Sequence, residues 1–150
     1  KTINKLIDKS ISVSVAESCT GGMLSSVFTT FKGVSMIFDM GLVTYSNKSK
    51  NSILKIPINI IQKNGAVSEK VSRLMVINLA KISKSKLCIS TTGIAGPGGA
   101  QKNKPVGLVF ISINYDNKCF TFKKIFKGTR KNIQTDTIKF CFRKINELIQ

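Results

Sequence analysis

The sequence has no histidine among its 150 residues. Without an imidazole, the chain cannot build Ser-His-Asp or Cys-His catalysis, an HExxH metalloprotease site or any histidine-ligated metal centre. Its four cysteines are far apart and form no CxxC pair; they are Cys19, Cys88, Cys119 and Cys141. We therefore expect reduced thiols, without a disulfide framework and without a metal site.

Acidic residues are scarce, with seven Asp and Glu against 24 Lys and Arg, and the net charge is +17. Such a charge is typical of nucleic-acid-binding proteins. However, only Arg73, Arg130 and Arg143 are arginines, tryptophan is absent, and the lysines are spread along the chain. Arginine clusters and stacking aromatics are what nucleic-acid recognition uses. We expect no specific nucleic-acid partner, and nucleic-acid binding remains an alternative that rests on charge alone.

Long apolar runs are also absent. None reaches the roughly 18 residues of a membrane span, and residues 1–10 lack the continuous apolar segment of a signal peptide. We expect a cytoplasmic protein with no membrane partner.

The composition and length indicate one folded domain. The chain is 42% hydrophobic, which is too apolar for a disordered chain, and its length predicts one domain over residues 1–150. It begins with Lys1 and not with Met, so we expect a trimmed chain or a fragment.

Helical and strand-like patterns alternate along the chain. Strands are predicted at residues 12–16, 41–46 and 87–91, followed by a hairpin of residues 106–114 and 118–126. Helices are predicted at residues 2–9 and 47–54 and from Met23, Pro57, Ser68 and Thr129 onward. This order predicts an α/β fold, a single three-layer α/β/α domain with a mixed β-sheet.

Three polar, glycine-marked segments lie at predicted strand ends, where open α/β sheets bind ligands. The first is ESCTGG, residues 17–22, in which Gly21 and Gly22 lie at a helix start and Thr20 is the expected N-cap. Backbone N–H groups and the helix dipole favour an anion there, such as a phosphate or a carboxylate. A capped helix after a tight turn explains the same residues without a ligand.

The second segment, residues 44–50, reads TYSNKSK and ends in Lys50. A lysine on the first helical turn after a strand can point back over the sheet edge. In a chain without histidine, lysine is the best remaining general base for Ser18, because burial lowers its pKa toward neutrality. The alternative is that Lys50 is one more solvated lysine.

The third segment, residues 91–99, carries four glycines, Gly93, Gly96, Gly98 and Gly99. Glycine-rich loops after a strand supply N–H groups for a phosphate or an oxyanion. The segment is neither a Walker motif nor GxGxxG, and a plain long loop is the alternative.

Five motifs occur in a fixed order: AESCTGG (16–22), VTYSN with a following lysine (43–50), NGAVSE (64–69), TGIAGPGG (92–99) and KPVG (104–107). Together they closely resemble the CinA C-terminal domain family, the nicotinamide-mononucleotide amidases. The resemblance runs from about residue 11 to 130. It implies a hydrolase that converts nicotinamide mononucleotide (NMN) to nicotinic acid mononucleotide and ammonia, without a metal or an organic cofactor.

The resemblance also assigns roles to residues. Ser18 is implied as the nucleophile and Lys50 as its base, while Tyr45 and Thr92 are implied to orient this pair or the substrate. The implied substrate-binding residues are Thr20, Gly21, Gly22, Gly93, Gly96, Gly98, Gly99 and Arg130, with Arg130 near the phosphate. The sequence departs from the family at NKSK, residues 47–50, where many members have an acidic residue, and in its lysine-rich last helix.

Several alternatives stay open. The chain is expected to form a homo-oligomer, with a dimer as the first choice, but it is also interpretable as a non-catalytic nucleotide-binding module or as the C-terminal part of a larger CinA-like protein. Cys19 is the rival nucleophile beside Ser18. Because successive side chains of an extended segment point to opposite faces, Cys19 should pack inside if Ser18 faces the crevice.

Overall fold

A five-stranded mixed β-sheet forms the centre of the computed structural model, which describes all residues, Lys1–Gln150. The strands are β1 (Val13–Glu17), β2 (Phe38–Val43), β3 (Leu87–Gly93), β4 (Leu108–Tyr115) and β5 (Lys118–Ile125). They lie in the order β2-β1-β3-β4-β5. β1 is parallel to β2 and β3, whereas β4 is antiparallel to both β3 and β5. The predicted α/β fold with a mixed sheet is confirmed.

Helices cover both faces of the sheet. They are α1 (Thr2–Asp8), α2 (Met23–Thr29), α3 (Asn47–Ser52), α4 (Ile58–Asn64), α5 (Glu69–Ser83) and α6 (Arg130–Leu148), with a short 3-10 helix at Val34–Met36. Helices α1, α2 and α6 pack on one face over a core of 22 buried residues, and α4 and α5 close a smaller core of nine on the other. All five residues of β1 are buried between these layers, as expected for a central parallel strand.

Strand β2 differs from its prediction. The structure places it at Phe38–Val43, three residues before the predicted 41–46. The last backbone bond to the sheet is Thr44 N–H to the Glu17 carbonyl, 2.9 Å. Beyond it the carbonyls of Thr44 and Tyr45 accept hydrogen bonds from the Lys50 side chain, so the chain leaves the sheet earlier than its sequence pattern indicates.

The predicted hairpin and last helix are confirmed. Tyr115 and Lys118 pair across a two-residue turn, in which Asp116 and Asn117 have φ of 48° and 63°, as type I′ turns require. Helix α6 begins after Thr129, whose side chain accepts from the Asn132 N–H. Its predicted inward stripe is buried: Ile133, Thr137, Phe140, Cys141 and Ile145. Neither this helix nor any other in the structure has the combination of length and apolarity that crossing a bilayer requires.

The sheet brings the three polar segments to one edge. In the registers of the parallel strands, Glu17 of β1 lies beside Val43 of β2 on one side and Thr91 of β3 on the other. The residues that follow each strand therefore leave the sheet at neighbouring points. This convergence was expected from the rule that ligands bind outside the carboxyl ends of the strands.

Candidate active site

Ser18 and Lys50 meet at the carboxyl end of β1. Ser18 directly follows this strand, and its N–H is held by the Thr91 carbonyl at 2.9 Å. Lys50 lies on α3, and its Nζ donates a hydrogen bond to Ser18 Oγ at 2.9 Å. The exposed fractions are 8% for Ser18 and 1% for Lys50. The fold thus joins a serine and a lysine that are 32 positions apart in the sequence.

The start of α3 determines where Lys50 lies. Ser46 Oγ accepts from the Ser49 N–H at 3.0 Å, and the Ser46 N–H donates to Ser49 Oγ at 3.1 Å. This reciprocal pair is a capping box, which satisfies two backbone donors and starts the helix directly after the strand. Lys50 therefore lies in the first turn and reaches back over the sheet edge.

The ammonium of Lys50 is buried among oxygen acceptors. Besides Ser18 Oγ, its Nζ donates to the carbonyls of Thr44 at 2.8 Å and Tyr45 at 3.2 Å. Burial lowers the pKa of Lys50 to about 8, and the nearby Cys19 opposes this shift. When the amine is neutral, its two N–H groups can keep both carbonyls while its lone pair accepts the Ser18 proton. The geometry therefore suits a general base.

The side chain of Glu17, the last residue of β1, lies at the N-terminus of α2. Its fully buried carboxylate accepts five hydrogen bonds, from Thr20 Oγ1 at 2.6 Å, Gly22 N at 3.1 Å, Leu24 N at 3.0 Å, Ser25 N at 2.8 Å and Ser25 Oγ at 2.7 Å. A carboxylate is favoured at this position because the helix dipole and free N–H groups are positive. The anion that the ESCTGG segment attracts is thus the chain's own side chain.

These contacts bear on two expectations. Thr20 is not the N-cap of α2, since Gly22 takes that position with φ of 99°. Nor do Thr20, Gly21 and Gly22 line the cavity beside Ser18. Thr20 is fully buried with its hydroxyl on Glu17 and Thr91, and the N–H groups of both glycines donate to acceptors inside the chain. Their role as substrate-binding residues stays a prediction, and in this structure their polar groups are already used by the Glu17 network and by the turn itself.

A cavity of about 350 Å³ opens beside the Ser18–Lys50 pair. Nine of the predicted site residues line it: Ser18, Lys50, Tyr45, Thr92, Gly93, Gly96, Gly98, Gly99 and Arg130. The Thr92 hydroxyl donates to the Ala66 carbonyl at 2.9 Å, so in this structure Thr92 positions the neighbouring loop and does not touch the pair.

Tyr45 and Arg130 form one wall of the cavity. Arg130 donates through one nitrogen to the Tyr45 hydroxyl at 3.0 Å and through another to the Gly96 carbonyl at 2.7 Å. The Tyr45 ring is largely exposed, while its backbone carbonyl contacts Lys50. Arg130 therefore links the segment that holds the base to the glycine-rich loop.

Further lining residues received no role from the sequence. They are Ile94, Ala95, Gln101, Lys104 and residues 65–67, and Cys19, the rival nucleophile, also lines the cavity. The NGAVSE and KPVG motifs contain residues 65–67 and Lys104, but nothing local to these motifs shows that they face Ser18. Lys104 Nζ donates to the Asn64 carbonyl at 2.8 Å. With Lys104 and Arg130 present and no Asp or Glu in the lining, the cavity is positively charged. No three Asp, Glu or Cys side chains are grouped so as to hold a metal ion.

The glycine-rich loop presents unused backbone donors. The N–H groups of Gly96, Gly98 and Gly99 make no hydrogen bond within the chain, and neither does the N–H of Cys19 directly after Ser18. Gly96 and Gly99 have φ of 76° and 89°, which favours glycine at both positions. Such donors beside two cations suit an anionic group.

Cys19 packs in the interior, as predicted. It is 5% exposed and belongs to the larger hydrophobic core, and burial raises the pKa of its thiol to about 12. The thiolate that nucleophilic attack needs is therefore scarce at neutral pH.

We expect Cys19→Ala to retain most of any activity that depends on Ser18. Cys19 lines the cavity, but its thiol is buried in the core and stays protonated at neutral pH. The measurement is the initial rate of ammonia release from NMN, together with the rate of alkylation of the native protein by iodoacetamide. Rapid alkylation that inactivates the protein and is slowed by NMN would show that Cys19 is the nucleophile.

Comparison with known proteins identifies the family of this chain. A family model, the CinA C-terminal domain, matches residues 1–149. The chain belongs to this family. A CinA-like protein of Prochlorococcus marinus (strain MED4) is 47% identical over 133 residues, which cover 88% of this chain and 31% of that protein. A CinA-like protein of Petrotoga mobilis is 41% identical, covering 97% of this chain and 36% of that protein. The chain spans about a third of the length of the curated relatives it matches.

Solved structures of the CinA superfamily share the fold over the whole chain. A competence/damage inducible protein, CihA, of Agrobacterium tumefaciens has a TM-score of 0.94 at 31% identity and covers 99% of this chain and 91% of its own. A CinA superfamily protein of Klebsiella pneumoniae has a TM-score of 0.94 at 25% identity, covering 99% and 92%. The α/β architecture of this CinA domain is therefore that of its superfamily.

Proposed function

We propose that this CinA-family domain hydrolyses the carboxamide of NMN to nicotinic acid mononucleotide and ammonia. The observation that carries the proposal is the 2.9 Å hydrogen bond between Lys50 Nζ and Ser18 Oγ, buried at the edge of a positively charged cavity. A serine paired with a lysine of lowered pKa is a known type of activated nucleophile. The sequence resemblance to NMN amidases supplies the substrate.

Acylation is the first half of the proposed reaction. Neutral Lys50 takes the proton of Ser18 as Oγ attacks the amide carbon, and the carbonyl oxygen of the amide becomes an oxyanion. The unused N–H of Cys19 is the donor that this proposal assigns to the oxyanion, as expected for the residue after a nucleophile at a strand-to-helix turn. Protonated Lys50 then gives its proton to the leaving nitrogen, and ammonia departs from an acyl-enzyme.

Hydrolysis of the ester on Ser18 is the second half. Lys50, neutral again, takes a proton from a water molecule, and the resulting hydroxide attacks the acyl carbon. The bond between this carbon and Ser18 Oγ breaks, and Lys50 returns the proton to Ser18. The product leaves as the carboxylic acid, which carries the second proton of the water and releases it to solvent to give the carboxylate of nicotinic acid mononucleotide; no redox step is involved.

The proposal assigns the phosphate of NMN to the glycine-rich loop and the two cations of the same cavity. Lys104 and Arg130 supply positive charge there, and the N–H groups of Gly96, Gly98 and Gly99 are unused. Phosphates are bound by such combinations of backbone N–H groups and cations. A volume of about 350 Å³ is in the usual range for small-ligand sites.

Ammonia release measured across NMN, nicotinamide riboside, nicotinamide and glutamine tests the proposal. We expect turnover of NMN and a loss of about tenfold or more in kcat/KM for the riboside, because it lacks the phosphate that the cations hold. NMN binding by calorimetry without ammonia release over hours would show a nucleotide-binding module instead of an enzyme. Preference for the riboside over NMN would contradict the phosphate subsite.

The rate should also depend on pH in a defined direction. Because only the neutral amine accepts a proton and the pKa of Lys50 is lowered to about 8, kcat/KM should rise about tenfold per pH unit below 8 and level off above it. Stopped assays from pH 6 to 9.5 at constant ionic strength measure this profile. A rate that is flat or falls across this range would exclude Lys50 as the base.

A further inference from the structure

A side chain of α6 holds the turn that follows Ser18. Gln134 Nε2 donates a hydrogen bond to the Cys19 carbonyl at 2.9 Å, across 115 positions of the sequence. No backbone N–H donates to this carbonyl, so Gln134 is its hydrogen-bond partner within the chain. Gln134 is partly buried and does not line the cavity beside Ser18. The five motifs and the proposed reaction leave it without a role.

The residues on either side of Cys19 are tied to the sheet. The Ser18 N–H donates to the Thr91 carbonyl at 2.9 Å, and the Thr20 hydroxyl donates to the Glu17 carboxylate at 2.6 Å. Cys19 lies between these two ties, and the backbone hydrogen bond that it accepts comes from α6. The α6 side chain therefore fixes the one part of this turn that the sheet does not hold.

The direction of the Cys19 N–H depends on the peptide groups around it. The Ser18 carbonyl accepts from the Gly21 N–H at 3.1 Å. Because a trans peptide group is planar, the Cys19 N–H points opposite to the Ser18 carbonyl. No backbone carbonyl accepts this N–H, and Cys19 lines the cavity. With Gln134 on the following carbonyl, both peptide groups next to the Cys19 Cα are held.

Helix α6 is a firm support for Gln134. The adjacent Ile133 and Thr137 are buried, and the Thr137 hydroxyl donates to the Ile133 carbonyl at 2.7 Å. Arg130 lies four residues before Gln134, and side chains at this spacing share a helix face. Helix α6 therefore contacts the site at two points, with Arg130 on the Gly96 carbonyl and Gln134 on the turn after Ser18.

We propose that Gln134 is a positioning residue for the oxyanion donor: by holding the Cys19 carbonyl, it keeps the Cys19 N–H directed at the oxygen that becomes negative when Ser18 attacks. The inference rests on the proposed reaction at Ser18. Gln134 does not touch the substrate and acts through the backbone of Cys19. A donor lowers the barrier most when its direction is set before the oxyanion forms.

Gln134→Met keeps the length of the side chain and removes the donor. Ammonia release is measured at pH 9, where Lys50 is mostly neutral, from NMN and from its thioamide analogue with sulfur in place of the carbonyl oxygen. We expect kcat for NMN to fall about tenfold or more, with KM changed by less than about twofold. The loss for the thioamide should be at most about threefold, because sulfur is a weak hydrogen-bond acceptor.

Two further variants separate this role from a structural one. Gln134→Lys restores a donor and should bring kcat for NMN to within about threefold of the wild type. Gln62→Met is the matched control, because Gln62 is exposed on α4 outside the cavity, and it should leave both rates unchanged. Equal losses for NMN and the thioamide in Gln134→Met would overturn the inference. So would a loss in Gln134→Lys as large as that in Gln134→Met.

Acetylation of Ser18 by 4-nitrophenyl acetate tests Gln134 without NMN. Ser18 Oγ attacks the ester carbon, Lys50 takes the serine proton, and 4-nitrophenolate leaves from the acetyl-enzyme. Its release should fall about tenfold in Gln134→Met, relative to the part of the rate that Ser18→Ala removes. A wild type that is acetylated at Ser18 but releases no ammonia from NMN contradicts the proposed substrate alone, and the ester rates then decide the role of Gln134. A wild type whose Ser18 reacts with neither compound overturns both proposals.

Discussion

Ser18→Ala is expected to lower the rate of ammonia release from NMN on the order of 10⁴-fold, because nucleophile and base act as a unit. The Ser18→Ala variant should still bind NMN, because the N–H groups of the glycine-rich loop, Lys104 and Arg130 are unchanged. Rates measured at substrate saturation, with calorimetry for NMN affinity, separate the loss of chemistry from a loss of binding.

Ser26→Ala is the matched control for this variant. Ser26 is exposed on α2, and its hydroxyl makes no hydrogen bond, so the same substitution there should leave the rate within twofold. If Ser18→Ala kept more than a tenth of the wild-type rate, Ser18 would not be the nucleophile. If Ser18→Ala lost NMN affinity and activity in parallel, its role would be in binding.

Lys50→Met is expected to lower the same rate on the order of 10³-fold or more, because no other group in contact with Ser18 Oγ can take its proton. Lys48→Met, on the exposed side of the same helix, should leave the rate unchanged. Activity of Lys50→Met above a tenth of the wild type would exclude the serine–lysine mechanism.

The same variant should also change how stability depends on pH. The pKa of Lys50 is lowered from 10.5 to about 8 in the folded chain, so the unfolded chain binds more protons between these values. Stability of the wild type relative to Lys50→Met should therefore rise between pH 7 and pH 10, by about 2 kcal/mol. Urea unfolding of both chains at the two pH values measures this difference. A relative stability that fell with rising pH would mean that the folded chain favours the charged amine.

Local patterns in the sequence were sufficient for most of the secondary structure. The Asp116-Asn117 turn between two apolar runs predicted the hairpin, and the apolar spacing from Ile133 to Ile145 predicted the buried face of α6. These features depend on residues that are close to each other in the sequence, so the local hydrophobic pattern is sufficient to predict them. The boundary of β2 was misplaced because its end depends on Lys50, which comes from the next helix.

The choice between Ser18 and Cys19 also rested on local geometry. Alternation along an extended segment predicted that the two side chains separate. The structure packs Cys19 into the hydrophobic core, although both Cys19 and Ser18 line the cavity. The ESCTGG turn shows the opposite outcome. Its glycines and helix start predicted a site for a bound anion, but the buried Glu17 carboxylate accepts the hydrogen bonds of these N–H groups instead. Helix propensity and residue spacing do not show that a side chain of the same segment takes the place of a ligand.

By itself, the sequence determined the order of helices and strands, the mixed α/β architecture and the choice of Ser18 and Lys50 as the pair that forms a hydrogen bond in the structure. Only the tertiary structure decided what surrounds them: the backbone carbonyls that accept hydrogen bonds from Lys50 and the positively charged cavity lining with Lys104. The physical reason is the range of the interactions. Helix and strand patterns follow from neighbours along the chain, whereas burial, pKa and cavity lining depend on segments that meet only after the sheet has formed.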